Sequence, residues 1–164
     1  MDVKATICQR MNPSQLIRVT GSIIAIAALG IMYYFYDLPL LIASFGSSAV
    51  TLFALPKAPA AKPYNVIVGQ FSSAICGWGA QYLLGSTWYG AAAAVAASLV
   101  VMVLLNCVHP PGGATALTAV ITPQQWTFIF APILVGAIGL VLIAFVTERF
   151  VKMYEDRHKE PAKS

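Results

Sequence analysis

The feature that most constrains this chain is a long stretch without formal charge. From Pro63 to Thr147 the sequence contains no Asp, Glu, Lys or Arg. A water-soluble fold would need charged side chains on its surface over such a segment, since ordinary globular chains are about 25% charged. Over the whole sequence only 10% of the residues are charged and 59% are apolar. We therefore interpret the chain as a polytopic membrane protein.

Four segments are long and apolar enough to cross a bilayer as single helices, which takes about 20 residues. Two further apolar segments, Leu38 to Leu55 and Pro110 to Thr122, are shorter and are interrupted by small or polar residues. We predict an all-α membrane helical bundle with four long spans and two short or broken helices. The long spans are residues 18–36, 65–84, 87–107 and 126–148.

The two short segments resemble each other. Gly46 to Thr51, followed by Pro56, aligns with Gly113 to Thr118, followed by Pro123. Each short segment also lies between two longer spans, so we predict two repeats of three helices. Three crossings is an odd number, so the second repeat is inverted relative to the first; such a 3+3 inverted repeat is a common plan of transporters. The predicted organisation is a cytoplasmic N-terminal segment (1–17), one transmembrane domain (18–151, with repeats 18–84 and 85–151) and a cytoplasmic tail (152–164).

The positions of the basic residues distinguish two possible topologies. If both short segments cross the membrane, all ten Lys and Arg lie on one side together with both termini. Cytoplasmic loops are enriched in Lys and Arg, so that side is the cytoplasm. If both short segments are re-entrant, the chain has four spans, and Lys57 and Lys62 lie outside. The first topology is favoured, and we expect a bacterial inner (plasma) membrane with both termini cytoplasmic.

The polar side chains that could bind a solute concentrate in the short segments. His109-Pro110-Pro111 predicts a helix start, where unpaired N–H groups and the helix dipole favour an anion. Hydroxyl groups recur at spacings of three and four residues along both short segments, and Asn65 and Gln70 open the third span. Two helix starts that face each other would form an anion site lined by hydroxyl donors. The predicted substrate-binding residues are Ser44, Gly46, Ser47, Ser48, Thr51, Asn65, Gln70, His109, Gly112, Gly113, Thr115 and Thr118.

These residues also have structural interpretations. Small and hydroxyl-bearing residues are enriched where membrane helices pack closely, and their hydroxyls often bond to their own helix. Asn65 and Gln70 are helix caps or line the path. His109 binds an anion, couples transport to protons, or bonds a neighbouring carbonyl.

No pattern in the sequence indicates catalysis, a metal or a nucleic acid. The basic residues flank apolar spans, and the three cysteines and two histidines lack metal-ligand spacing. There is no acid pair, no serine with a histidine and an acid, and no phosphate-binding loop. We expect no enzyme activity, cofactor, metal site or nucleic-acid partner. The expected partners are the lipid bilayer, a small inorganic anion and further copies of the chain that shield its path from lipid.

Three stretches resemble the HPP family of integral membrane proteins, named for its His-Pro-Pro motif. They are His109 to Leu117, Ala43 to Val50, and Pro63 to Gly69. The resemblance implies four transmembrane helices. It also implies nitrite as the substrate, because members from photosynthetic lineages are implicated in nitrite transport. Two positions depart from the family: Gly112 replaces a more common alanine, and Gln70 stands where a histidine is frequent.

We therefore expect the protein to be a transporter or channel for a small monovalent anion, with nitrite as the first candidate substrate. One alternative is a non-transporting membrane subunit that assembles with a partner through its small-residue faces. Another is a carrier for a different small polar solute, because hydroxyl and backbone N–H groups bind neutral polar molecules as well as anions.

Overall fold

The computed structural model describes residues 12–36 and 43–158, and these residues form helices joined by short connections. No β-strand occurs in these two ranges, so the all-α prediction is confirmed for them. The predicted start of the first short segment, most of the predicted N-terminal segment and the end of the predicted tail (159–164) lie outside the described residues. The α-helices of the described residues are α1 (Pro13–Tyr36), α2 (Ala43–Ala54), α3 (Pro63–Leu84), α4 (Trp88–Leu104), α5 (Pro111–Ile121) and α6 (Val135–His158).

Local sequence explains several of the helix boundaries. Pro63 and Pro111 occupy the first positions of α3 and α5, where a missing N–H has no intrahelical partner to lose. Gly85, with φ of 69°, ends α3 in a conformation that favours glycine. The hydroxyl of Thr87 accepts a 3.1 Å hydrogen bond from the Gly90 N–H and caps the start of α4.

In the part of the chain that the structure describes, two helical segments are long and apolar enough to span a membrane, Pro13–Phe35 and Trp126–His158, whose most apolar 18-residue windows have mean hydropathies of 1.9 and 2.8. Two of the four predicted long spans are thereby supported. The 22 residues of α3 reach about 33 Å, but its buried face carries serines and amides that lower its hydropathy. The 17 residues of α4 reach about 25 Å, which is short for a single span.

The last predicted span differs from its expected form at both ends. A 3₁₀ turn (Trp126–Ile129) and a π-type segment (Phe130–Leu134) precede α6, and α6 continues to His158. The extension follows from the charged residues beyond Thr147, many of which are good helix formers that extend a helix without needing an apolar environment. The predicted boundary between domain and tail at residue 152 therefore falls inside a helix.

The contacts between helices show a twofold correspondence in which α1 pairs with α4, α2 with α5 and α3 with α6. The α1–α2 contact matches α4–α5, the α1–α6 contact matches α3–α4, and the α2–α6 contact matches α3–α5. The α2–α5 and α3–α6 contacts each join two corresponding helices, so the exchange leaves them unchanged. The order of a longer helix, a short helix and a longer helix likewise occurs twice.

The packed interior lies around α2, α3 and α6. Phe45, Phe53, Ile133 and Leu140 are among its buried side chains. Gly77 lets α3 approach α5 closely, since a Cβ atom there would lie 2.6 Å from the Ala116 carbonyl oxygen. The outward surfaces of α1 and α4 expose large apolar side chains, which suits a chain surrounded by lipid.

Candidate functional site

A chain of hydrogen bonds connects α2, α3 and α5 inside the bundle. Thr115 Oγ1 bonds Gln70 Oε1, and Gln70 Nε2 lies 2.8 Å from Ser48 Oγ. Ser48 Oγ lies 2.8 Å from His109 Nε2, and His109 Nδ1 lies 2.9 Å from the Ala60 carbonyl oxygen. All four side chains have zero relative exposure. These five residues are called the buried network below.

The donors of the buried network can be assigned from its last member. The Ala60 carbonyl can only accept, so His109 Nδ1 carries a hydrogen. In a neutral imidazole Nε2 then accepts, and Ser48 donates to it. The Gln70 amide donates to Ser48 and accepts from Thr115. Every bond therefore points the same way, from Thr115 towards Ala60.

The turn that carries His109 fits against α3 because α3 has glycine at that point. A Cβ at Gly69 would lie 2.8 Å from the His109 Cβ and 3.0 Å from the Cys107 carbonyl oxygen. Asn106, with φ of 51°, reverses the chain after α4 in a conformation that asparagine tolerates. The glycine and the tight turn together place the imidazole beside α3 and within hydrogen-bond distance of Ser48 on α2.

Gly112 also has a local reason to be glycine. A Cβ there would lie 2.5 Å from Ser73 Oγ and 3.0 Å from the Gly69 carbonyl oxygen. Ser73 is held in place by a 2.9 Å hydrogen bond to Ser98 on α4. The buried Ser73 hydroxyl therefore accounts for glycine at position 112.

Four of the twelve predicted binding residues belong to the buried network: Ser48, Gln70, His109 and Thr115. Ser44 lies one helical turn before Ser48 and is completely buried. Its hydroxyl is a buried side-chain atom of the described chain for which no hydrogen-bond partner is found. A buried hydroxyl without a partner is costly, so this atom marks a place where a ligand could bond.

The hydroxyl stripes and Asn65 make local bonds. Thr51 donates to the Ser47 carbonyl at 3.0 Å, and Thr118 donates to the Ala114 carbonyl at 2.8 Å. Such bonds to the preceding turn are the structural interpretation of these residues. Asn65 Nδ2 donates to the Pro59 carbonyl at 3.0 Å and holds the loop before α3.

Of the three remaining predicted residues, Gly46 and Ser47 lie away from the buried network and Gly113 lies beside it. Gly46 and Ser47 are exposed on the opposite face of α2, and Gly46 lines a groove between α1 and α2. Gly113 is half-buried, and a Cβ there would meet only a Val95 methyl group at 4.0 Å.

Two features of the site were missed by the sequence analysis. The Ala60 carbonyl fixes the His109 tautomer, but a backbone acceptor leaves no signal in the sequence. Ser98 was also missed, although it is a single hydroxyl in a run of alanine and valine residues and could have been noticed for that reason.

A second polar contact joins α1 to α6 near the end of the bundle that carries the loop after α2. Arg18 Nε and Nη2 lie 2.6 and 3.2 Å from the two carboxylate oxygens of Glu148. One turn away, Ser14 donates to Glu155 at 3.0 Å. This contact is an ion pair, whereas the buried network contains no formal charge when His109 is neutral.

The helical fold, its apolar outer surface and its buried polar interior define an integral membrane protein. The chain matches the family model for the transmembrane region of HPP proteins over residues 9–158, and it belongs to that family.

Two proteins of Dictyostelium discoideum, both named as transmembrane proteins, are similar to the chain. One is 42% identical over 124 residues, which cover 71% of this chain and 44% of the relative. The other is 34% identical over 144 residues, covering 80% and 46%. The chain thus spans less than half the length of these relatives. No solved structure matches it. Neither relative is bacterial, so the assignment to a bacterial inner membrane stays a prediction.

Proposed function

We propose that this protein is a transporter or channel for a small monovalent anion, with nitrite as the first candidate, and that the anion binds beside the buried network. The observation that carries the proposal is the hydroxyl of Ser44, which is completely buried and has no hydrogen-bond partner among the described residues. It lies one turn from Ser48, and Gln70 retains a second amide hydrogen beyond the one given to Ser48.

The chemistry of these groups suits an anion that must bind and leave again. Hydroxyl and amide hydrogens replace part of the water lost by an anion in a buried site. A permanent positive charge, such as that of Arg or Lys, would bind the anion more tightly and slow its release. The buried network offers donors without such a charge, and nitrite can accept through its oxygens.

The proposal extends to the architecture. Four longer helices and two short ones form an inverted repeat, with both termini in the cytoplasm. The exchange symmetry of the helix contacts supports the repeat of three helices. Ser48 and Thr115 are aligned positions of the two short segments, and both bond the same Gln70 side chain. Sites at the interface of inverted repeats are a common transporter plan.

The test is nitrite uptake into proteoliposomes that contain only this chain, compared with empty vesicles at alkaline pH, where membrane-permeant nitrous acid is scarce. We expect saturable uptake that Ser44→Ala weakens. Thr118→Val is the matched control, because its hydroxyl bonds its own helix. Absence of uptake by folded protein would overturn the proposal and favour the partner-dependent subunit.

A further inference from the structure

Two cavities adjoin each other between α1, α2 and α6. The first, about 390 Å³, is a mainly apolar groove between α1 and α2, lined by Val19, Ile26 and Phe53 among others. The second, about 650 Å³, lies where the loop after α2 meets α6. Arg18 and Ala54 line both cavities, so the apolar groove leads into the second one.

The second cavity, called the charged cavity below, contains as many cationic as anionic side chains. Arg18 and Glu148 neutralise each other, and Glu155 accepts a hydrogen bond from Ser14. Lys57 and Lys152 form no ion pair with the residues that the structure describes. The charged lining residues are Arg18, Lys57, Glu148, Lys152, Glu155 and Asp156.

An apolar groove that ends in a charged cavity is the shape and chemistry of an amphiphile. Both volumes lie within the range of about 300–1,000 Å³ that is usual for ligand sites. The groove is open beside Gly46, since a Cβ there would have no neighbour within 4 Å and a larger side chain at this position would enter the groove. The charged cavity also lies at helix ends, the level at which lipid headgroups meet a membrane protein.

We propose that these cavities bind one phospholipid with an ethanolamine headgroup. An acyl chain lies in the groove along α1 and α2, and the phosphate lies near the Lys57 and Lys152 ammonium groups. The headgroup ammonium faces the acidic side of the cavity, which includes Glu155. Because the cavity is balanced in charge, a zwitterionic headgroup complements it better than an anionic one. An ethanolamine ammonium donates hydrogen bonds to carboxylates, which a choline headgroup cannot do.

The test is native mass spectrometry of the full chain released from bilayers that contain equal amounts of phosphatidylethanolamine, phosphatidylcholine and phosphatidylglycerol. We expect one retained phosphatidylethanolamine per chain. The double variant Lys57→Gln/Lys152→Gln should lower its retention about tenfold, the factor that corresponds to one charge-assisted hydrogen bond. Lys62→Gln is the control, because Lys62 lies in the same loop but does not line the charged cavity.

The groove is tested separately by Gly46→Leu, which fills it with a side chain that favours helix formation. We expect a similar loss of retained lipid, while Gly79→Leu, a helical glycine with equally open surroundings on α3, leaves retention unchanged. Equal retention of the three lipids by the unmodified chain would overturn the proposal. Undiminished retention in both the lysine and the Gly46 variants would overturn it as well. No step of this test depends on anion transport.

Discussion

The α2–α3–α5 interior and the α1–α6 contact are both held by polar side chains, but by different kinds. The interior uses neutral groups that are completely buried, whereas Arg18 and Glu148 keep 19% and 31% of their side-chain surface exposed. Buried neutral groups depend on every partner, because water cannot replace a lost one. Partly exposed charges can turn to water when their partner is removed. The two regions should therefore respond very differently to the loss of one side chain.

The largest effect is expected for Gln70→Leu. This change removes the side chain that bonds both Ser48 and Thr115 and leaves two buried hydroxyls short of a partner. Each such loss costs about 1–3 kcal/mol, so we expect the bundle to unfold at lower temperature. The proposed site also loses the amide donor of Gln70, so we expect uptake to fall at least about tenfold. Nitrite uptake and thermal unfolding measure both effects.

Gln70→His is the matched variant, because it keeps a polar side chain that can donate and accept hydrogen bonds at this position. We expect it to retain more uptake than Gln70→Leu. Equal uptake by Gln70→Leu and the unmodified chain would remove Gln70 from the proposed site.

The next effect concerns the close approach of α5 to α3. Gly112→Ala places a methyl group against Ser73 and the Gly69 carbonyl, which should lower the free energy of unfolding by about 1–3 kcal/mol. Adding Ser73→Ala removes the nearest atom and should restore part of the loss, as a double-mutant cycle would show. Purely additive effects of the two changes would contradict this explanation of Gly112.

A smaller, pH-dependent effect tests whether the neutral interior can be charged. A protonated His109 donates from both nitrogens, so it releases the Ser48 hydrogen for a bound anion. We therefore expect nitrite uptake to rise as the pH falls through the titration of His109, after subtraction of the uptake by empty vesicles. His109→Gln should flatten the dependence. An unchanged pH profile in this variant would leave His109 with a structural role alone.

The smallest effect is expected at the α1–α6 contact. Arg18→Gln or Glu148→Gln should lower stability by about 1 kcal/mol or less, because the pair is partly exposed. The loss should shrink at high salt, which a thermal unfolding series can measure. A larger or salt-independent loss would show that this pair behaves like a buried one.

The sequence was most informative where a polar residue is isolated in an apolar stretch. His109 and Gln70 could be selected because neither has a charged neighbour along the chain, and both belong to the buried network. The choice among Ser44, Ser47 and Ser48 could not be made, because it depends on which face of α2 meets α3. That face is set by tertiary packing, and small residues line both sides of the helix.

The helical nature of the chain was predictable, whereas the lengths of its helices were less so. Hydropathy identifies the apolar part of a helix, but it gives no signal for the charged continuation of α6 to His158. The 3₁₀ and π segments before α6 were likewise not predicted, since the apolar run of residues 126–134 does not reveal its backbone conformation.

The common direction of the hydrogen bonds in the buried network restricts what can enter it. A molecule inserted between Gln70 and Ser48, or between Ser48 and neutral His109, must accept one hydrogen bond and donate another. Water and the undissociated form of a weak acid can do so, but a bare anion can only accept. An anion that takes a place within this row, rather than beside it, therefore has to arrive with a proton.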